Sequence, residues 1–153
     1  YVKKSKFSNS IFIESWKQIN DLPEFYKNSK ATILASSSDQ WGLVINEAMA
    51  SGSPCIVSKN CGCYFDLINN ANTGWGFDPK NSRELAYLLK KVESLSNSEL
   101  EEIKKNIQVK ISNYDLENFS NAVEKSTYKS LSNKKFSLIS SLTSYILFKL
   151  KKI

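Results

Sequence analysis

Histidine is absent from this 153-residue sequence, which removes the side chain that most often serves as a general base near neutral pH. Acid-base chemistry would have to use carboxylates, lysines or a partner protein. The three cysteines follow no zinc-binding spacing and have no histidine to complete a site, so we expect no metal and no cofactor. An odd cysteine count without a secretory signal suits a reducing, cytoplasmic compartment.

Acidic residues are missing from Lys125 onward, and the seven lysines there give that segment a formal charge of +7. Since the net charge of the whole chain is +6, the residues before Lys125 sum to −1. Because the folded body is nearly neutral, we do not expect nucleic acid as a partner. The lysines at positions 3, 4 and 6 match no motif and indicate a solvated basic run. We therefore divide the chain into a domain over residues 1–132 and a basic amphipathic tail over residues 133–153.

Long apolar runs are lacking as well, and the tail has apolar residues on one helical face and serines opposite. A segment of this kind is too short and too polar to cross a bilayer, which takes about 20 apolar residues. Residues 134–153 fit two interpretations. They could form a helix lying peripherally at the anionic inner face of a membrane, or a helix that packs on a partner domain.

The body of the chain, with 41% apolar and 24% charged residues, has the composition of one globular domain. Its pattern predicts a short strand at Ile11–Ile13, a helix begun by Asp21 and Pro23, and a buried strand over residues 31–35. A helix over 42–51 and a strand over 55–58 follow. Gly52 ends the helix, and Pro54 lies at the start of the strand. Strand, helix and strand in so short a span predict a parallel βαβ unit, whose ligands lie at the carboxyl ends of the strands.

Helical and turn signals continue after this unit. We predict a short helix over 64–69, a turn and strand over 72–77, and a helix over 83–94. Ser98 and Glu101 predict a capping box for the next helix, and residues 114–131 predict another. The fold class is therefore α/β, a partial Rossmann-like parallel sheet flanked by helices.

The helix that opens at Gly42 has the features of an anion site. The first amides of a helix, here those of Gly42, Leu43 and Val44, have no partner inside it and attract an anion by about 0.3 to 1 kcal/mol. Glu47 lies one turn further along the same face, roughly 6 Å away, in a helix that we expect to be mostly buried. Its carboxylate could accept two hydrogen bonds from a vicinal diol such as a ribose presents. In the alternative interpretation this is an ordinary core helix, and Glu47 caps a neighbouring helix or pairs with a lysine.

The segment from Asp39 to Pro54, DQWGLVINEAMASGSP, resembles the E-x7-E donor-binding motif of GT-B glycosyltransferases, in the large retaining family 4. The resemblance implies a site for a nucleotide sugar, UDP- or GDP-linked. Asp39 would be the catalytic-site acid that holds hydroxyls of the transferred sugar, the amides at the helix start would bind the diphosphate, and Glu47 would bind the ribose. Most members carry Glu where this chain has Asp39, and the shorter reach bears on which sugar is held and how tightly.

A glycine-containing loop followed by an acid forms another wall near the sugar in this family, and Gly62 and Asp66 match that pattern. Asp66 stands where Glu is more common, and it could equally cap the short helix over 64–69. The resemblance covers about residues 10–130.

The resemblance implies transfer of a sugar with retention to a glycan or lipid-linked acceptor, as in polysaccharide biosynthesis. A GT-B enzyme has two domains, and we expect this chain to be a truncated or split piece that is inactive alone and lacks an N-terminal half or a partner subunit. The alternative is a non-catalytic donor-binding subunit that docks on a separate, membrane-associated partner. A GT-B epimerase acting on a nucleotide sugar fits the motif less well.

Overall fold

The computed structural model describes residues 2–69 and 72–132, so the predicted tail over 133–153 lies outside the described residues. The chain divides into two compact units, residues 1–112 and residues 113–153. The first unit contains the sheet and most of the helices. The described part of the second unit is a helix, α5 (Leu116–Ser132), whose first turn is capped by Asp115 through the amide of Asn118 at 2.7 Å.

The first unit is built on a three-stranded parallel sheet in the order β1 (Thr32–Leu34), β2 (Cys55–Ser58), β3 (Gly74–Phe77). In the register of the sheet, Cys55 lies beside Thr32 on one side and beside Gly74 on the other. The central strand, β2, is buried along its whole length. The predicted α/β class with a small parallel sheet is confirmed.

Helices cover both faces of this sheet. In chain order they are α1 (Leu22–Lys27), α2 (Leu43–Ala50), a short π-helix (Tyr64–Ile68), α3 (Ser82–Glu93) and α4 (Asn97–Ile111), preceded by two 3₁₀ turns over residues 2–4 and 8–10. The helix α2 ends where expected, because Gly52 adopts a left-handed φ of 79° that stops it. Pro54 directly precedes β2, where its missing amide costs no ladder hydrogen bond.

Successive residues of a strand point to opposite faces, and β2 thereby contributes to two separate cores. Val57 belongs to the core formed with α2, the π-helix and α4, in which Ile45, Met49 and Ile107 are also buried. Ile56 packs on the other face with Phe77 and α3. Helices therefore pack on both faces of the sheet and hold its strands in place.

Several local predictions are wrong. Ile11–Ile13 forms no strand among the described residues, and Ile13 is 81% exposed, since an isolated apolar triplet has no ladder to join. The capping box is made by Ser96 and Glu99 rather than by Ser98 and Glu101. Glu101 instead pairs with Lys104 at 3.0 Å.

Candidate functional site

Two loops meet at the carboxyl edge of the sheet, one after β1 (residues 35–42) and one after β2 (residues 59–63), and we call them the paired loops. Asp39 and Cys61 form a parallel bridge. The amide of Gly62 donates to the carbonyl of Asp39 at 3.1 Å, and the amide of Cys63 donates to the carbonyl of Trp41 at 3.0 Å. The paired loops therefore continue the sheet as a hydrogen-bonded ledge beyond its strands.

Gly62 allows this close approach. A Cβ at position 62 would overlap the carbonyl oxygen of Gln40 and lie 3.0 Å from the carbonyl carbon. Both atoms belong to the backbone and cannot rotate aside. The family pattern led us to place Gly62 in a wall near the sugar; in the structure its direct effect is to let the paired loops touch.

The helix α2 starts on this ledge. Gly42 is its N-cap with a left-handed φ of 93°, and a Cβ there would lie 2.5 Å from Leu34 and 3.3 Å from the Cys63 sulfur. No side chain of the described residues caps this helix end. Ile45 donates its amide back to the carbonyl of Gly42 at 2.9 Å, and the preceding amides, of Leu43 and Val44, precede the first helical bond. Gly42 is buried but Leu43 is 69% exposed, so the positive end of α2 reaches the surface at Leu43, where it is suited to an anion.

Asp39 lies beside this helix start. Its Oδ1 accepts a hydrogen bond from the amide of Trp41 at 3.1 Å, which forms a side-chain turn within the loop. Its carboxyl carbon would lie 4.0 Å from a Cβ at position 42. Burial, followed by the charges of Cys61 and Asp39, raises the pKa of the Cys63 thiol to about 11. The Asp39 carboxylate is thus adjacent to both the helix start and the Cys61–Cys63 segment.

Glu47 is exposed, contrary to our expectation of a mostly buried helix, because α2 buries Ile45, Ala48 and Met49 and turns the face that carries Glu47 to solvent. The carboxylate nevertheless has a partner. The hydroxyl of Tyr26, on α1, donates to Glu47 Oε2 at 3.0 Å. Burial, this hydrogen bond and the charge of Glu47 raise the pKa of Tyr26 to about 12.

Sequence reasoning missed Tyr26 as part of this arrangement. It lies 21 residues before Glu47, on a different helix, and a tyrosine in a short helix carries no local signal of a distant carboxylate partner. The structure shows the link because α1 and α2 pack against each other, with the Tyr26 ring against the core.

Asp66 lies on the π-helix and is exposed. Its charge contributes, as the smallest of several causes, to the raised pKa of Cys63, so it is near that thiol. The structure therefore brings Asp39, Gly42 and Gly62 together around the paired loops. Glu47 lies one turn further along α2 with Tyr26, and Asp66 lies on the π-helix, three residues after Cys63.

A cation that we did not single out also lies at the carboxyl edge. Lys59 follows β2 directly, and its Nζ pairs with Glu84 of α3 at 3.0 Å. The second Glu84 oxygen accepts the amide of Asp78, which follows β3, at 2.9 Å. These contacts lower the pKa of Glu84 and raise that of Lys59. The ends of β2 and β3 are thereby tied to α3.

Among residues 2–69 and 72–132 no group of histidine, cysteine, aspartate and glutamate side chains is arranged to hold a metal ion. No helix in the same ranges has the length and apolarity needed to span a bilayer. A surface groove of about 250 Å³ lies at the opposite, amino-terminal end of β3, beside Gly74 and Trp75. The candidate site is an open ledge rather than a closed pocket.

The chain belongs to the family of glycosyl transferases group 1, whose model matches residues 2–110. Among solved structures it is similar to an α,α-trehalose-phosphate synthase (UDP-forming) from Burkholderia vietnamiensis, with 17% identity over 75% of this chain and 26% of that one, and a TM-score of 0.66. It is also similar to an α,α-trehalose 6-phosphate synthase from Burkholderia multivorans, with 16% identity over 84% of this chain and 26% of that one, and a TM-score of 0.66.

These likenesses confirm the expected architecture, the Rossmann-like part of a GT-B glycosyltransferase. The chain spans about a quarter of the length of the solved structures that it matches. No curated protein sequence gives a significant match. Membership of the family supports a transferase.

Proposed function

We propose that this chain forms the donor-binding part of a retaining, family 4 glycosyltransferase that uses a UDP- or GDP-sugar. The observation that carries the proposal is the ledge itself. One acid and the open end of a helix lie together at the carboxyl edge of a parallel sheet, and a second acid lies one turn along that helix. Ligands of open α/β sheets bind at this edge.

Each element of the ledge has a chemical role in the proposal. The amides at the start of α2 bind the diphosphate, and Gly42 provides the left-handed φ of 93° from which the helix begins. Asp39 holds hydroxyls of the transferred sugar, and Glu47 accepts hydrogen bonds from the ribose. Gly62 and Asp66 belong to the wall on the sugar side. When the bond from the anomeric carbon to the phosphate oxygen breaks, negative charge collects on the diphosphate, and the amides stabilise it without having to reorient.

The remaining parts of the proposal concern the protein around this chain. We propose a glycan or lipid-linked acceptor, as in polysaccharide biosynthesis, bound by residues outside these 153. Turnover then requires a further GT-B half, in the same polypeptide or in a partner subunit, and the chain alone is inactive. We place the protein in the cytoplasm, with residues 134–153 contacting the inner face of the membrane.

Calorimetric titration of the 153-residue chain with UDP and with GDP tests the donor site. We expect one of them to bind, and Glu47→Ala to weaken it about 10-fold to 100-fold, the range for losing a hydrogen bond to a charged group. Glu93→Ala is the matched control, because Glu93 is an exposed helical acid at the end of α3. A folded chain that binds neither nucleotide, or a Glu47→Ala variant that binds as the wild type does, would refute the proposed site.

A further inference from the structure

The contact between Tyr26 and Glu47 gives the exposed Glu47 carboxylate a hydrogen-bond partner within the protein. The Tyr26 ring is partly buried against the core that α2 shares with α4, so the core sets the position of its hydroxyl. That hydroxyl reaches Glu47 Oε2 at 3.0 Å. The carboxylate is therefore held in one orientation before any ligand arrives.

The atoms of this pair that remain open to a ligand are hydrogen-bond acceptors. A glutamate carboxylate accepts hydrogen bonds and donates none, and a phenol oxygen can donate one and accept others. Tyr26 donates its only hydroxyl hydrogen bond to Glu47, and with a pKa of about 12 the phenol stays protonated at neutral pH. The oxygens that remain open on Tyr26 and Glu47 can only accept.

From this geometry we infer that Tyr26 is a positioning residue which, by orienting Glu47, sets the preference of the site for ribonucleotides over 2′-deoxyribonucleotides. A surface that only accepts is matched by a ligand with two adjacent donors, and the vicinal diol of ribose is such a ligand. A 2′-deoxyribose offers one donor and leaves one acceptor without a partner. The inference rests on the proposed donor site, and it adds Tyr26 as a positioning residue that determines sugar specificity in the nucleotide.

The test is the ratio of affinities for UDP and 2′-deoxy-UDP, and for the guanine pair, measured by calorimetry. We expect the wild type to prefer the ribose form about tenfold, which corresponds to about 1.4 kcal/mol. Tyr26→Phe keeps the buried ring and removes the hydroxyl, and we expect the preference to fall to about twofold or less. Tyr87→Phe, an exposed tyrosine on α3, is the control and should leave the ratio unchanged.

The outcomes separate the two ideas. A wild type that prefers ribose, with an unchanged ratio in Tyr26→Phe, would overturn the role of Tyr26 and leave the proposed function standing. Equal binding of ribose and deoxyribose forms by the wild type would overturn the selectivity. A folded wild type that binds none of the four nucleotides would overturn the proposed function and the inference with it. A purely structural role for Tyr26 would weaken both nucleotides equally and leave the ratio unchanged.

Discussion

The replacement Gly62→Ala tests whether the paired loops build the site. A Cβ at position 62 would overlap the carbonyl oxygen of Gln40 and lie 3.5 Å from Cα of Trp41. The φ of Gly62 is outside the left-handed region, so alanine fits the local backbone. The loss of stability therefore comes from the overlap of the new Cβ with Gln40. Because the obstructing atoms are backbone atoms, the two loops must separate.

The expected loss of stability follows from the hydrogen bonds that separation of the loops would break. They run from the amide of Gly62 to Asp39 at 3.1 Å and from the amide of Cys63 to Trp41 at 3.0 Å. Each contributes about 0.5 to 1.5 kcal/mol net, so we expect Gly62→Ala to lower the free energy of unfolding by about 1 to 3 kcal/mol. With a slope of about 1 to 3 kcal/mol per molar urea, the unfolding midpoint would fall by roughly 1 M.

Gly52→Ala is the matched control. Gly52 has a left-handed φ of 79° but open space around a Cβ, with no atom within 4 Å. Alanine there costs about 1 to 2 kcal/mol of backbone strain, similar to the loss at position 62. The two variants should therefore unfold at similar urea concentrations, but only Gly62→Ala should weaken nucleotide binding in calorimetry. Wild-type stability and affinity in Gly62→Ala would refute this account of the ledge.

Three further predictions concern other contacts. The three thiols are buried with raised pKa values, so we expect slow reaction with a thiol-specific disulfide reagent in the native chain and full reaction in urea; rapid native reaction would contradict this. Glu84 has a lowered pKa, chiefly from the amide of Asp78 and then from Lys59, so its stabilisation is present above pH 4.5 and is lost as the pH falls through the folded value. Glu84→Gln should therefore flatten the fall of the thermal midpoint below pH 4.5, and an equally steep fall in the variant would count against the contact. Asp39→Asn keeps an acceptor for the amide of Trp41 and should unfold as the wild type does, whereas Asp39→Ala should lose about 0.5 to 1.5 kcal/mol in urea titration; equal losses would exclude the turn.

The unit from β1 to β2 could be predicted because its signals are local. Gly42 and Gly52 take the left-handed conformations that glycine accepts, and Pro54 precedes a strand. The contacts that make the ledge are different in kind. Asp39 and Gly62 meet through backbone atoms, and a backbone amide has no residue identity that a sequence could reveal. The residue pattern could therefore locate the start of α2, and the family resemblance pointed to Gly62, but neither predicted the backbone contacts between the two loops.

The capping box of α4 shows how a correct motif can be assigned to the wrong residues. The segment SNSELE contains two overlapping S-x-x-E patterns, Ser96 with Glu99 and Ser98 with Glu101. The structure uses the first, with Ser96 in an extended conformation and reciprocal bonds to Glu99. Propensity does not separate these alternatives. Ile107 of the same helix is fully buried in a core that also contains residues of α2 and β2, so tertiary packing also acts on the position of this helix.

Aspartate at position 39 fits the geometry of this ledge. Its Oδ1 reaches the amide of Trp41 two residues ahead, a turn that short side chains form readily. A glutamate, longer by one methylene, is less suited to that turn and would have to extend outward. If Asp39 holds the donor sugar as proposed, the sugar must come closer to the backbone than a glutamate would require. Gly42 and Gly62 serve a different purpose, since a Cβ at either position would press on Leu34 or on the carbonyl of Gln40, and the absence of a Cβ lets the loop that carries this turn pack closely.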